Sequence, residues 1–338
     1  MSNQKKDQLN ASRRKFINQT ALASLGIFIG GKSALANINV FSPAGINSKI
    51  NGVQIGAITY SFRGMPGSAE QTLQYCVDAG ISAIELMGDA AESFAGAPEN
   101  PIKWIPGQKF EMTEEKKLQM AEYQKTMANW RGNVSMDSFK AIRKMYNKAG
   151  VSIYAFKPNA LNPNNTDAEI EYAFKAGKVL GAKSVTVELP TNLEHAKRLG
   201  DLAAKNDMLV GYHAHTQATD DAWDKALMQS PNNSINLDCG HYIAAGGANT
   251  KESLLAFINK NHARISSMHI KDRLNKDHGG NNKPWGEGDT PLKEILTLLK
   301  EKKYPIPATI ELEYDIPVGS DAVKEVSKCF AYAKAILS

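Results

Sequence analysis

Asn236-Leu237-Asp238-Cys239-Gly240-His241 brings a short apolar run, 234–238, to a close on a carboxylate and a histidine. A helical pattern at 251–259 follows it. The same unit recurs along the chain. Strand-length runs lie at 53–59, 82–86, 152–156, 184–189, 208–213, 265–270 and 308–313, and helical patterns at 68–78, 136–148, 168–180, 193–205, 291–300 and 322–336. Short apolar runs alternating with amphipathic stretches read as βα units around a parallel sheet. Eight such units in about 290 residues predict a single (β/α)8 TIM barrel. A doubly wound sheet competes, but no Gly-rich phosphate fingerprint follows the first strand. Ser135 and Pro291 are placed to start helices, and Gly80 and Gly150 to stop them.

Polar residues fall where a barrel keeps its chemistry, at the carboxyl ends of strands. The fourth strand gives Val187-Glu188-Leu189-Pro190 and the fifth Tyr212-His213-Ala214-His215. The seventh gives Met268-His269-Ile270-Lys271-Asp272, and the eighth Ile310-Glu311-Leu312-Glu313. Two Glu, one Asp and one His at one rim suit a divalent cation with mixed oxygen and nitrogen ligands: Mn, Co, Fe, Mg or Zn. Glu85 closes the second strand, Lys157 follows the third, and Lys271 lies two residues beyond His269, so each is expected near the mouth. Arg273 reads as peripheral, and His195, His262 and His278 as surface residues. Residues 88–134 exceed an ordinary connection and carry Trp104 and Trp130. This insertion reads equally as a lid over the mouth or as packing outside the barrel.

These spaced strand-end runs resemble the sugar phosphate isomerase/epimerase-like family, a group of xylose isomerase-like barrels, over about residues 52–337. The resemblance implies Glu188, Asp238, His269 and Glu311 as metal ligands, with Glu313 the competitor to Glu311. It implies Glu188 and Glu311 as paired acid and base, and His241 as a substrate contact. His213, His241, Lys157 and Lys271 join the catalytic set, and Glu85, Trp104 and Trp130 join His241 in the substrate-binding set.

A divalent ion polarises a carbonyl, and a nearby carboxylate can then remove the acidified neighbouring proton. Reprotonation gives an epimer or an isomer, and loss of a β-substituent gives elimination. No Arg cluster for a phosphate appears at the strand ends, so an unphosphorylated sugar or glycoside, as in a keto-glycoside lyase, is the expected substrate. A non-catalytic envelope protein that binds sugars or a partner, a hydrolase using metal-activated water, and an endonuclease are the competing classes.

The chain carries 40 Lys+Arg against 35 Asp+Glu, for a formal charge of +5. Residues 1–36 hold six of the basic groups and one acid, leaving 34 of each sign on the remainder. A neutral body argues against nucleic acid as a partner. The leader joins Ser12-Arg13-Arg14-Lys15-Phe16-Ile17, an uncharged apolar stretch and Ala34-Leu35-Ala36, and so resembles a twin-arginine signal peptide. It implies recognition by the twin-arginine export machinery and a periplasmic or otherwise exported protein with no stable membrane anchor. Residues 37–51 read as a linker and 52–338 as the barrel. Cys76, Cys239 and Cys329 are too few and too far apart for a disulfide framework.

Overall fold

The computed structural model describes residues 45–102 and 111–338. The leader, residues 37–44 and Trp104 lie outside the described residues.

Eight parallel strands form a closed barrel: β1 (Val53–Ile58), β2 (Ala83–Met87), β3 (Ser152–Lys157), β4 (Ser184–Glu188), β5 (Leu209–His213), β6 (Asn233–Asp238), β7 (Ile265–Ile270) and β8 (Ala308–Ile310). β1 pairs with both β2 and β8, which closes the ring and leaves no edge. A two-residue strand, Lys49–Ile50, adds to β1 antiparallel at its amino end. Each strand falls within a residue or so of its expected span except β8, which ends at Ile310, before both glutamates.

The helices are α1 (Ala69–Asp78), α2 (Gly88–Phe94), α3 (Glu114–Asn133), α4 (Asp137–Lys148), α5 (Asp167–Leu180), α6 (Leu193–Lys205), α7 (Asp224–Leu227), α8 (Cys239–Ala245), α9 (Lys251–Asn261), α10 (Leu292–Lys302) and α11 (Ala322–Leu337). Their starts are encoded locally. Ser68 and Gln71 form a capping box on α1, and Thr166 and Glu169 one on α5. Ser135 Oγ accepts the Asp137 amide at the start of α4. Pro291 stands at the cap position of α10, one residue before its first turn. Between barrel and helices lies one apolar core that includes Ile55, Ile84, Phe156, Tyr212, Met268 and Leu296. Cys76, Cys239 and Cys329 are buried in it and unpaired, and burial pushes the Cys76 thiol up to about 12. No described helix is long and apolar enough to cross a membrane.

The insertion is helical where the sequence shows no helix signal. α3 is polar nearly all round, and only Met127 and Arg131 of its twenty residues are buried. Arg131 is its anchor, with Nε 3.3 Å from Glu92 Oε1 of α2 and Nη1 3.2 Å from Glu169 Oε1 of α5. Tyr172 of α5 donates its hydroxyl to the same Glu92 oxygen. Trp130 lies edge-on to Tyr172, ring centres 5.7 Å apart. The described part of the insertion therefore packs against α5, and Trp130, expected to stack on substrate, is spent on that packing.

Candidate active site

Parallel pairing sets the functional side chains side by side. Glu188 is level with His213 across β4 and β5, and Asp238 with His269 across β6 and β7. Past the end of β8, the Glu311 amide still donates to Ile270 O at 3.2 Å, so the chain keeps its strand-like course and delivers Glu311 to the same rim.

Asp238 serves two structures at once. Its Oδ1 accepts the His241 amide at 2.6 Å as the cap of α8, which explains an Asp placed three residues before His. Gly240 between them is forced by crowding, since a Cβ there would meet Lys271 Cγ at 2.5 Å and the Lys271 carbonyl oxygen at 2.9 Å. The other carboxylate oxygen, Oδ2, is buried and makes no hydrogen bond. It lies 3.9 Å from His213 Nε2, His241 Nε2 and His269 Nδ1. Lys271 Nζ stands 2.9 Å away but is not aligned to bond it. His269 Nδ1 is likewise without a hydrogen bond, although Glu311 Oε2 is 3.2 Å away.

The opposite nitrogen of His269 is engaged: Nε2 lies 2.8 Å from Glu85 Oε2. Glu85, expected to touch substrate, is instead fully buried beneath the histidines, with Thr186 Oγ1 donating to its other oxygen at 2.6 Å. His213 Nδ1 lies 2.8 Å from Asn236 Oδ1. Arg273, expected at the periphery, donates Nη1 to His241 Nδ1. Because guanidinium can only donate, neutral His241 carries its proton on Nε2 and presents an N–H to the site. Lys271 Nζ bridges Glu311 Oε2 at 2.7 Å and Glu313 Oε2 at 2.6 Å.

The charges are tightly interdependent. Burial disfavours a charged His269, yet Glu311 and Glu85 outweigh it and raise its pKa to about 10. Burial would raise Glu311, but His269 and Lys271 hold it well below the carboxylate range. Glu85 is also lowered, His269 and Lys157 overcoming its burial. His213 is pushed down to about 3 by burial and by His269, and His241 to about 2 by burial, Lys271 and Arg273. Both are neutral at pH 7.

Nearer the solvent, Glu188 forms a second group. Its side chain is about half exposed, with Lys157 Nζ 3.1 Å from Oε1 and His215 Nε2 3.6 Å from Oε2. The His215 ring is 4.6 Å from that of His241. Expected as a ligand beside Asp238 and His269, Glu188 is bound instead by Lys157 and His215.

Among the expected ligands, Asp238, His269 and Glu311 converge. His213, Asp238 and His269 each bring a ligand atom within 4.8 Å of the others, as do His213, His215 and His241. The proton that Arg273 imposes on His241 Nε2 removes that atom from the second group. The first group fits a divalent cation: two unpartnered buried atoms face each other, beside acidic oxygen donors and neutral imidazole.

His215, Arg273, Asn236, Thr186 and Ser267 were not among the expected site residues. Most were accessible through a period-two polar alternation in the strands: Thr186–Glu188, His213–His215, Ser234–Asn236–Asp238 and Ser267–His269–Lys271 each share one face. Arg273 carries no such signal. His195, expected at the surface, is buried with Nε2 3.0 Å from Leu161 O, while His262 and His278 are not buried.

The chain is similar in structure to the 3-keto-D-glucoside 4-epimerase of E. coli, with 14% identity, TM-score 0.55 and coverage of 84% of this chain and 99% of that one. A D-psicose 3-epimerase is similar at 12% identity and TM-score 0.55, over 84% and 99% of the two chains. So is a probable 3-DHS dehydratase from Bacillus anthracis, at 17% and 0.54, over 82% and 98%. At such identities the likeness is one of fold. No curated protein matches the sequence. The xylose isomerase-like TIM barrel family model matches residues 73–332, most of the barrel and every strand-end residue described above, and the chain belongs to that family.

Proposed function

We propose that the protein is a divalent-metal-dependent enzyme that removes a proton next to the carbonyl of an unphosphorylated sugar or glycoside. The product is an epimer, an isomer or, where a β-substituent can leave, an eliminated glycoside. The observation that carries this reading is the pair of unpartnered buried atoms, Asp238 Oδ2 and His269 Nδ1, 3.9 Å apart at the barrel mouth. Glu311 and Glu85, which raise the His269 pKa to about 10, make the same surroundings acidic enough to favour a cation. The epimerases among its structural neighbours accord with the assignment.

Asp238, His269 and Glu311 would hold the ion, joined by His213 through Nε2. Such an ion supplies Lewis acidity, which polarises a sugar carbonyl and acidifies the adjacent C–H. Glu188 takes the proton, oriented by Lys157, and Glu311 is its partner across the site. His241 Nε2–H donates to a substrate oxygen and steadies the charge that develops there. Lys271 holds Glu311 and Glu313 in place. In this reading the leader directs the enzyme to the twin-arginine route, and the sugar is met outside the cytoplasm.

The test is to incubate the Mn²⁺-loaded protein in D₂O with a panel of ketoses and 3-keto-glycosides. Deuterium is expected at the carbon beside the carbonyl in an epimer, an isomer or recovered substrate, and an unsaturated ketone where a β-substituent leaves; both are expected to vanish in Glu188→Gln. Full activity after verified removal of metal would overturn the proposal.

A further inference from the structure

One feature of the site lies beneath the residues that would hold an ion. Glu85, Thr186 and Asn236 come from β2, β4 and β6, alternate strands that fill one layer of a barrel interior. This layer is polar where branched apolar side chains are usual, and all three residues are fully buried. Thr186 Oγ1 occupies Glu85 Oε1 at 2.6 Å, so the carboxylate has no freedom to turn. Its Oε2 faces His269 Nε2 at 2.8 Å and Asn236 Nδ2 at 3.4 Å.

A carboxylate can only accept, and this fixes the direction of each bond in the chain. His269 must carry a proton on Nε2. Asn236 must turn its NH₂ toward Glu85, where it also donates to Ser267 Oγ at 2.8 Å. Its carbonyl oxygen is thereby aimed at His213 Nδ1, 2.8 Å away, and that nitrogen must be the protonated one. The nitrogens left facing Asp238 Oδ2 are His269 Nδ1 and His213 Nε2, each at 3.9 Å.

We infer that Glu85 is a positioning residue whose single carboxylate, acting directly on His269 and through Asn236 on His213, places the ring protons so that both histidines present their other nitrogen to the site. The purpose rests on the proposed cation, but the proton placement does not. Arg273 does the opposite to His241, so His241 is kept as a donor and His213 as an acceptor, while His269, cationic without an ion, becomes an acceptor once its Nδ1 proton leaves.

The test is the ¹⁵N spectrum of the full chain, selectively labelled at histidine and free of metal, beside its affinity for Mn²⁺ alone. In the parent protein His213 is expected as the Nδ1–H form. In Asn236→Leu, His213 is expected to lose that preference while His269 keeps its Nε2 proton. Mn²⁺ affinity should then fall about 10- to 100-fold, the usual effect of losing a partner behind a ligating histidine. Glu85→Leu should release both rings; if it fails to fold, Asn236→Leu and the parent spectrum decide. A parent spectrum with His213 protonated on Nε2 would overturn the inference. So would an unchanged His213 in Asn236→Leu together with Mn²⁺ affinity within twofold of the parent. A parent that binds no Mn²⁺ yet shows His213 as Nδ1–H would defeat the proposed function and leave the proton placement standing.

Discussion

Two buried charged clusters sit in this barrel and differ in how completely they are satisfied. Arg131, Glu92 and Glu169 form the first, where α3 meets α2 and α5, and no buried side-chain atom of the three lacks a partner. The strand-end cluster is the second. Of five buried side-chain atoms without a partner among the described residues, two are Asp238 Oδ2 and His269 Nδ1, facing one another. A saturated ion cluster is the signature of a structural joint, whereas buried ionisable atoms held only by imperfectly aligned neighbours, Lys271 at 2.9 Å and Glu311 at 3.2 Å, are the pattern of a functional site.

The contrast breaks or holds on substitution. The largest effect is expected from Glu188→Gln, which should lower kcat/KM about 100- to 10,000-fold, the range for losing a general base, with an unchanged melting temperature. An effect confined to KM would assign Glu188 to binding alone. Arg131→Met should do the reverse. It leaves two buried carboxylates without their cation and should cost about 3–5 kcal/mol in urea unfolding, with kcat/KM per folded molecule unchanged. Loss of activity in the folded variant would show that the insertion reaches the chemistry.

Saturating Mn²⁺ or Co²⁺ should raise the stability of the parent and of Arg131→Met alike, by about 2.7 kcal/mol at a hundredfold excess over Kd. Asp238→Asn should abolish that gain. A gain retained in Asp238→Asn would move the cation elsewhere.

The smallest effect is on pH dependence. His213 and His241 titrate near 3 and 2 when folded, against 6.5 when unfolded, so the unfolded chain binds the extra protons. The metal-free protein should therefore lose stability as pH falls from about 6.5 toward 3. His269 acts in the other sense. Raised to about 10, it stabilises fully below 6.5, and that contribution disappears as pH rises through 10. Melting temperature against pH should show both limbs, with the acid limb flattened in His213→Gln.

The barrel and its rim were legible because both depend on local pattern: short apolar runs between amphipathic stretches, start and stop residues such as Ser135, Pro291, Gly80 and Gly150, and polar residues at the carboxyl ends of strands. What escaped depends on distant partners. α3 has no apolar stripe to announce it and is anchored largely through Arg131, whose two partners lie 39 and 38 residues away. Arg273 reaches His241 because its own loop folds back, donating twice to Gly280 O. Lys157 and Glu188 each sit at a strand end, as expected, but their pairing is a property of neighbouring strands that neither sequence segment carries alone. His195 looked exposed because nothing in α6 reveals that Leu161 lies over it.

The double duty of Asp238 makes the first turn of α8 a gauge of the site. The His241 amide is bonded to the carboxylate whose second oxygen faces His269. Whatever pins that second oxygen also pins the cap, so hydrogen exchange at this one amide should slow with occupancy. A backbone proton thus reports whether the mouth is filled, with no substrate needed.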